Sequence, residues 1–171
     1  MIRETDLARA IKKVVDGGQV GEPVFLNLAR LGAPDAGDAA LADLLDLAAW
    51  LVGDQPIEVH ARGHAGGHVQ HRSATLRFPR DRVAIVELST GGSADRFERV
   101  LLLGTLGRVQ LDSAEAAALV LPAERRVLPV GGLIPVGAAP ADPSPPEAAL
   151  VAAVLASVRT GQPARVEAHG G

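Results

Sequence analysis

The 171-residue sequence predicts a single α+β domain: an open, mostly antiparallel β-sheet with helices packed on one face. Three observations predict it. Residues 36–53 repeat leucine at helical spacing, a succession of short β-type runs follows across tight turns, and a second apolar helical stripe at 147–159 comes near the end. Strands joined directly by turns lie side by side and antiparallel. Helices set apart from such a run of strands collect on one face of the sheet they form.

The elements follow in order. In residues 4–16, Leu7, Ile11, Val14 and Val15 fall on one helical stripe, and Gly17-Gly18 supplies the left-handed residue that ends a helix. Gln19 to Pro23 turn the chain into residues 24–30, whose β-branched and aromatic side chains suit a strand. Gly32, Pro34 and Gly37 predict a loop before the leucine helix, in which Leu41, Leu44, Leu45, Ala48, Leu51 and Val52 share a face. Asp38 is its expected N-cap and Gly53 its C-terminal stop. Residues 57–61 alternate apolar and polar as a half-buried strand does, and the glycine-rich residues 62–71 read as a hairpin loop.

Residues 73–78 and 82–89 then form neighbouring strands around Pro79-Arg80-Asp81, and 97–104 and 107–112 repeat the pattern. Residues 117–121 and 125–130 give a last hairpin. The Pro/Gly-rich stretch 131–146 reads as a crossover loop, residues 147–159 as a helix with Leu150, Val151, Val154, Leu155 and Val158 inward, and 163–171 as a frayed tail. A two-faced sheet needs both faces accounted for. Strand alternation sets Val83, Ile85 and Glu87 against Ala84, Val86 and Leu88, so both faces carry apolar residues and one is left for another subunit.

Composition excludes several function classes. The net charge of −3 comes from interspersed charges with no basic stripe, so nucleic acid is not the expected partner. No apolar run reaches the roughly 20 residues that cross a bilayer, and the polar opening MIRETDLARAIKK has no secretory order; a cytoplasmic protein is expected. The absence of cysteine removes disulfides, thiol nucleophiles and thiolate metal sites. With three Phe, one Trp and no Tyr, the core must be aliphatic.

Four segments, in the right order, carry a resemblance to one family. Residues 46–53, DLAAWLVG, resemble the D-L-A-R-W-L-x-G run of the carboxy-terminal domain of the Gfo/Idh/MocA oxidoreductases, the glucose-fructose oxidoreductase and inositol dehydrogenase family. Gly18 to Pro23, between a helix and a strand, resemble that family's G-x-[IV]-G-x-P entry into its sheet. FERVLLLGTLGRVQLD resembles its strand ladder, and helix-TGQP its closing phrase. The resemblance covers nearly all of this chain but only the second half of a family enzyme. It implies a homodimer through the exposed sheet face, and a cofactor, NAD or NADP, bound by a separate amino-terminal Rossmann domain.

That machinery is missing from the sequence. No G-x-G-x-x-G lies between a strand and a helix, and the family's E-K-P phrase with its proton-transferring lysine is absent, Lys12 and Lys13 being the only lysines. Counting back from Asp46, Asp43 stands where the resemblance implies the catalytic histidine, and Ala39 where it implies the aspartate. The catalytic set is therefore empty, and no cofactor is expected on this chain.

What remains are candidate ligand-binding residues. Asp43, Asp46 and Trp50 stand at i, i+3 and i+7 on the side of the helix away from the leucines, where the carboxylates are either solvated or turned to a pocket or partner. Arg30, ending the first strand, and Arg62, after the second, can reach a common sheet edge suited to a carboxylate or phosphate; the alternative is ordinary surface arginines. His60, His64, His68 and His71 invite a metal reading. Glycines at 63, 66 and 67 preclude a helix there, and no carboxylate completes a zinc motif, so no metal is expected. No serine has a G-x-S-x-G setting.

The sequence thus predicts a stand-alone oxidoreductase-like carboxy-terminal domain, not catalytic alone, acting in oligomerisation, in assembly with a separate dinucleotide-binding chain, or in holding a small polar ligand. The alternative is a truncated or split NAD(P)-dependent sugar or polyol oxidoreductase whose Rossmann domain is on another chain or missing.

Overall fold

In the computed structural model the described residues are 3, 5–33, 37–66, 69–90, 97–112, 118–121, 126–129 and 145–166. Three helices, α1 (Asp6–Asp16), α2 (Asp38–Val52) and α3 (Pro145–Thr160), accompany nine strands: β1 (Pro23–Ala33), β2 (Glu58–Gly66), β3 (Val69–Arg77), β4 (Val83–Thr90), β5 (Phe97–Gly104), β6 (Arg108–Asp112), β7 (Ala118–Leu121), β8 (Arg126–Pro129) and β9 (Ala164–Arg165). Among the described residues the main sheet runs β6-β5-β1-β4-β3-β2-β9, and β7-β8 pair as a separate ribbon. Every pairing is antiparallel except β1 with β4, as the expected α+β class requires.

The leucine helix forms as its period demands, and it is buried almost all round. Leu41, Leu44, Leu45, Leu47, Ala48, Leu51 and Val52 are all in the core, together with Ala40, Ala42 and Ala49. A helix with so wide an apolar surface must be enclosed on more than one side. The sheet supplies one side, where α2 meets β1 and β4, while α3 and α1 flank it. Its C-terminus ends on Gly53 at φ 75°, the left-handed stop expected there. At the other end the cap is Gly37, not Asp38, with no side-chain hydrogen bond. Asp38 lies one residue inside the helix and reaches across to Arg72 at 2.5 Å.

Strand alternation sorts the sheet into two faces. Along the helix side run Leu26 and Leu28 of β1, Ala84, Val86 and Leu88 of β4, Ala74 and Leu76 of β3, Val59 and Ala61 of β2, Val100 and Leu102 of β5, and Val109 and Leu111 of β6, all buried. This is the core. Val83, Ile85 and Glu87 point to the opposite face and are only half-buried, as the alternation predicted.

Four boundaries differ from the sequence reading. Strand β1 runs on to Ala33, so residues 31–33, Gly32 included, belong to the strand and not to the loop expected over 31–37. The glycine-rich residues 62–71 are mostly strand: β2 and β3 pair in register from Glu58↔Arg77 to Gly66↔Val69. Gly63 explains why glycine is compatible with that strand, because a Cβ there would sit 3.0 Å from Val158 Cγ1 of α3, which packs onto the bare backbone. The tail is not wholly frayed, since Ala164–Arg165 add β9 to β2, and the Val166 N–H donates to Ile57 O at 3.2 Å. Helix α3 starts at Pro145, two residues early, where proline suits the first turn. The crossover loop of 131–146 otherwise lies outside the described residues.

Helix α3 also repairs the sheet edge. Beyond the two residues of β9, the outward Ala61 N–H of β2 has no strand beside it; the fully buried Ser157 Oγ accepts it at 2.8 Å and donates to Gln162 O at 2.7 Å. Ser157→Ala orphans a buried N–H and is expected to destabilise by about 1–3 kcal/mol in urea denaturation. Thr160→Ala, one turn on and exposed, should change stability by less than about 0.5 kcal/mol.

Candidate functional site

The four candidate residues do not share a pocket. Arg30 and Glu98 are cross-strand partners on β1 and β5, on the helix side of the sheet, 3.6 Å apart and with side chains only 9% and 6% exposed. Arg30 is therefore not the surface arginine of the sequence alternative. Arg62 pairs with Ser73, whose row continues through Glu87 and Ala29 to Arg99, whereas Arg30 lies in the row of Leu88, Arg72 and Gly63. Adjacent rows point to opposite faces, so the two guanidinium groups lie on opposite sides of the sheet.

Asp43 and Asp46 occupy the half-buried side of α2 together with Trp50. Helix α1 and the residues before it close part of that side. Arg3 Nε forms an ion pair with Asp46 Oδ2, and the Lys12 ammonium sits 5.8 Å from the Trp50 ring centroid, in cation–π range. Arg9, Lys12, Lys13, Asp16, Gly17, Gln19 and Trp50 line a shallow groove there. Its charges are largely compensated within α1, through Arg9 with Asp6 at 3.0 Å and Lys12 with Asp16 at 2.6 Å.

The histidines lie elsewhere. His60 and His64 of β2 and His71 of β3 share the face away from the helices, with His64 directly opposite His71; His68 lies outside the described residues. Among the described residues no group of three or more His, Asp or Glu side chains is arranged to hold a metal ion.

That face away from the helices has an apolar centre. Phe25, Leu31, Val83, Ile85, Leu101 and Leu103, on β1, β4 and β5, leave its centre apolar and half-buried, while α2 and α3 pack on the other face. Three polar pairs lie on it: Asn27 donates to Glu87 at 3.3 Å, Arg99 donates to Asp112 at 2.9 Å, and Arg77 to Glu58 at 3.4 Å.

One polar junction escaped the sequence reading. Arg82, 4% exposed, donates to Val52 O of α2 at 3.2 Å, to Pro79 O at 2.9 Å and to Asp54 Oδ2 at 2.6 Å. It joins the end of α2 to the β3–β4 turn, where a cation also complements the helix dipole. Partial burial opposes ionisation of Asp54. The hydrogen bond from Arg82, that from Gln55 N–H, and the charges of Arg82 and Arg80 outweigh it and hold the carboxyl below its ordinary value. This junction is structural. The only local hint was an arginine beside a Pro-Arg-Asp turn, which does not indicate a partner nearly thirty positions earlier.

No protein-family model and no curated protein matches the chain. Solved structures do. A putative oxidoreductase from Thermotoga maritima is similar over 96% of this chain and 62% of its own, with TM-score 0.68 and 18% identity. An oxidoreductase from Agrobacterium radiobacter, solved with NAD+, L-tartaric acid and magnesium, is similar over 93% and 61%, with TM-score 0.71 and 17% identity. A scyllo-inositol dehydrogenase from Lactobacillus casei, with bound NAD(H) and scyllo-inositol, gives 96% and 62%, TM-score 0.65 and 12% identity. The chain thus spans about three fifths of the structures it matches, and it has the fold that oxidoreductases of the inositol dehydrogenase kind carry in that part of their length.

Proposed function

We propose that the chain is an assembly domain of the oxidoreductase type, which pairs with a second copy through the uncovered face of its sheet and does not catalyse a reaction alone. The observation that carries this is the half-buried apolar centre of that face, Phe25, Leu31, Val83, Ile85, Leu101 and Leu103, opposite the face on which α2 and α3 pack. Such a patch on a folded domain is a contact surface. The resemblance to Gfo/Idh/MocA carboxy-terminal domains points to the same face.

Sedimentation velocity of the purified chain tests it. At about 10 μM, enough to populate a dimer of micromolar Kd, the expected species has twice the 17.6 kDa chain mass. Ile85→Arg, which places a charge at the centre of the patch, should return it to the monomer while leaving the circular dichroism of the fold intact. A wild-type chain that sediments as a monomer overturns the proposal.

A second reading has its own support. Because structures solved with NAD+ or NAD(H) have about two fifths of their own length outside the part matched here, a dinucleotide-binding domain on another chain is a fitting partner. The restored pair would work weakly or with altered chemistry, since Ala39 and Asp43 replace the aspartate and histidine that the resemblance implies. Retention of a small polar ligand by Arg30, Asp43, Asp46 and Arg62 together draws less support, because Arg30 and Arg62 lie on opposite faces. NADH fluorescence checks the division of labour: the chain alone should leave it unchanged.

A further inference from the structure

The middle of the open face is complementary to its own reversal. The register across β5, β1 and β4 sets three rows on it: Leu103, Phe25 and Val83; Leu101, Asn27 and Ile85; Arg99, Ala29 and Glu87. A two-fold axis laid along β1 turns each row end for end onto its copy. Leu103 then meets Val83, Leu101 meets Ile85 and Phe25 meets Phe25, while the cation of Arg99 meets the anion of Glu87 once on each side of the axis. We infer that Arg99 and Glu87 set the orientation of self-association: the copies stack β1 on β1, running the same way, with Arg99 of each against Glu87 of the other. The inference deepens the dimer reading above and rests on it.

Other axes match the face less well. Midway between β1 and β4, an axis brings Arg108 over Glu58 and Asp112 over Arg62 at the margins, but it lays Leu103 on Arg77, Leu101 on Thr75 and Glu87 on Ala29, so the apolar centre loses its match. Midway between β1 and β5, it lays Glu87 on Asp112, like charge on like. An axis across the strands at the middle row exchanges the outer two, burying Arg99 against Leu103 and Glu87 against Val83, where neither charge has a counterpart. Moved between the two leucine rows, it keeps apolar on apolar but leaves the row of Arg99 and Glu87 outside the contact.

The axis along β1 also explains where the face turns polar. β1 is the middle of the five strands β6-β5-β1-β4-β3, so these cover one another and β2 falls outside. On β2 this face carries Glu58, His60, Arg62 and His64, the last two exposed, as suits the solvated rim of an interface. Over β3, β6 sets Gln110 on Thr75 and Asp112 on Ser73. Its Arg108 meets Arg77, but both are exposed and Arg77 donates to Glu58 at 3.4 Å, so water and that carboxylate screen the repulsion.

Distance allows the central pair. Sheets stacked face to face cross at about 30°, which displaces a strand beside the axis by only about 2–3 Å, within the reach of an arginine. Arg99 already donates to Asp112 and Glu87 already accepts from Asn27. A guanidinium has more N–H groups, and a carboxylate more lone pairs, than one partner uses, so each can serve the second copy as well.

The test exchanges the charges. In sedimentation velocity at about 50 mM salt, where such contacts are little screened, Arg99→Glu alone and Glu87→Arg alone should each raise the dimer Kd at least about tenfold, because each sets like charges together twice. Mixed in equal amounts they should recover a dimer within about threefold of the wild type, since both contacts again join opposite charges. Circular dichroism confirms that each variant is folded. Single variants that dimerise as tightly as the wild type overturn this inference and leave the dimer reading standing, and so does weakening that the mixture does not reverse. A wild-type monomer removes both. A second measurement needs neither charge variant and decides between axes along and across the strands should one of them not fold. The chain has no cysteine, so His60→Cys carries a single nitroxide label on β2, three strands from β1. The axis along β1 separates the two labels by about 30 Å, whereas an axis across the strands sets them about 10–15 Å apart. The shorter distance overturns the inference.

Discussion

Gly104→Ala is expected to lower the melting temperature by about 6–12 °C, a loss of roughly 3 kcal/mol in a domain of this size. Gly104 ends β5 at the turn into β6, and a Cβ there would lie 2.1 Å from Val20 O and 3.2 Å from Glu22 O. Both are backbone atoms, so no rotamer change relieves the overlap. The same carbonyls are in use: Leu106 N–H donates to Val20 O at 2.9 Å and Thr105 N–H to Glu22 O at 3.0 Å. Pushing them away breaks the hook between the β5–β6 turn and the chain entering β1. Calorimetry measures the loss, and Gly37→Ala, where an added Cβ meets nothing within 4 Å, should shift the melting temperature by no more than about 2–4 °C. Comparable stability of the two variants would mean that the hook is loose in solution.

Arg82→Ala is the second large effect. It removes the donor shared by Val52 O, Pro79 O and Asp54, and leaves a cavity where a guanidinium was 4% exposed. Losing one partner of a fully buried pair costs about 3–5 kcal/mol, but Asp54 remains 36% exposed and is rehydrated, so about 2–3 kcal/mol is expected in denaturant unfolding.

Acid should expose the same junction. The Asp54 carboxyl is held below its ordinary value near 3.8, so its contribution to stability is full above that value and fades as the pH falls through the lower folded one. The wild type should therefore lose stability below about pH 4 more steeply than Asp54→Asn, which has already forfeited that contribution. Parallel curves would remove Asp54 from the acid response.

Where local pattern and tertiary packing agree, the sequence was readable. The leucine period found α2, Gly53 marked its end, and alternation around Pro79-Arg80-Asp81 found β3 and β4. It failed where a distant partner decides. Gly63 looks like a loop residue until Val158 is seen resting on it. Arg30 looks like a surface cation until strand order sets Glu98 opposite it. Ser157 has no sequence signature at all, because its role is to answer an N–H nearly a hundred positions earlier. The candidate site suffered most. Whether Arg30 and Arg62 face the same way depends on the register across the intervening β4 and β3, which a one-residue slip would reverse.

The parallel contact between β1 and β4 has a consequence for synthesis. Both neighbours of β1 are made long after it: Phe25 pairs with Val83 on one side and with Leu103 on the other. The first of these nine strands to leave the ribosome is thus an interior strand of the sheet and has no hairpin mate to fold against. Leu26 and Leu28, fully hidden at the end, spend that interval in water. A nascent chain halted after Arg77 would hold β2 and β3 as a ribbon and β1 as an apolar strand with two vacant edges, the species most prone to pair with a stranger.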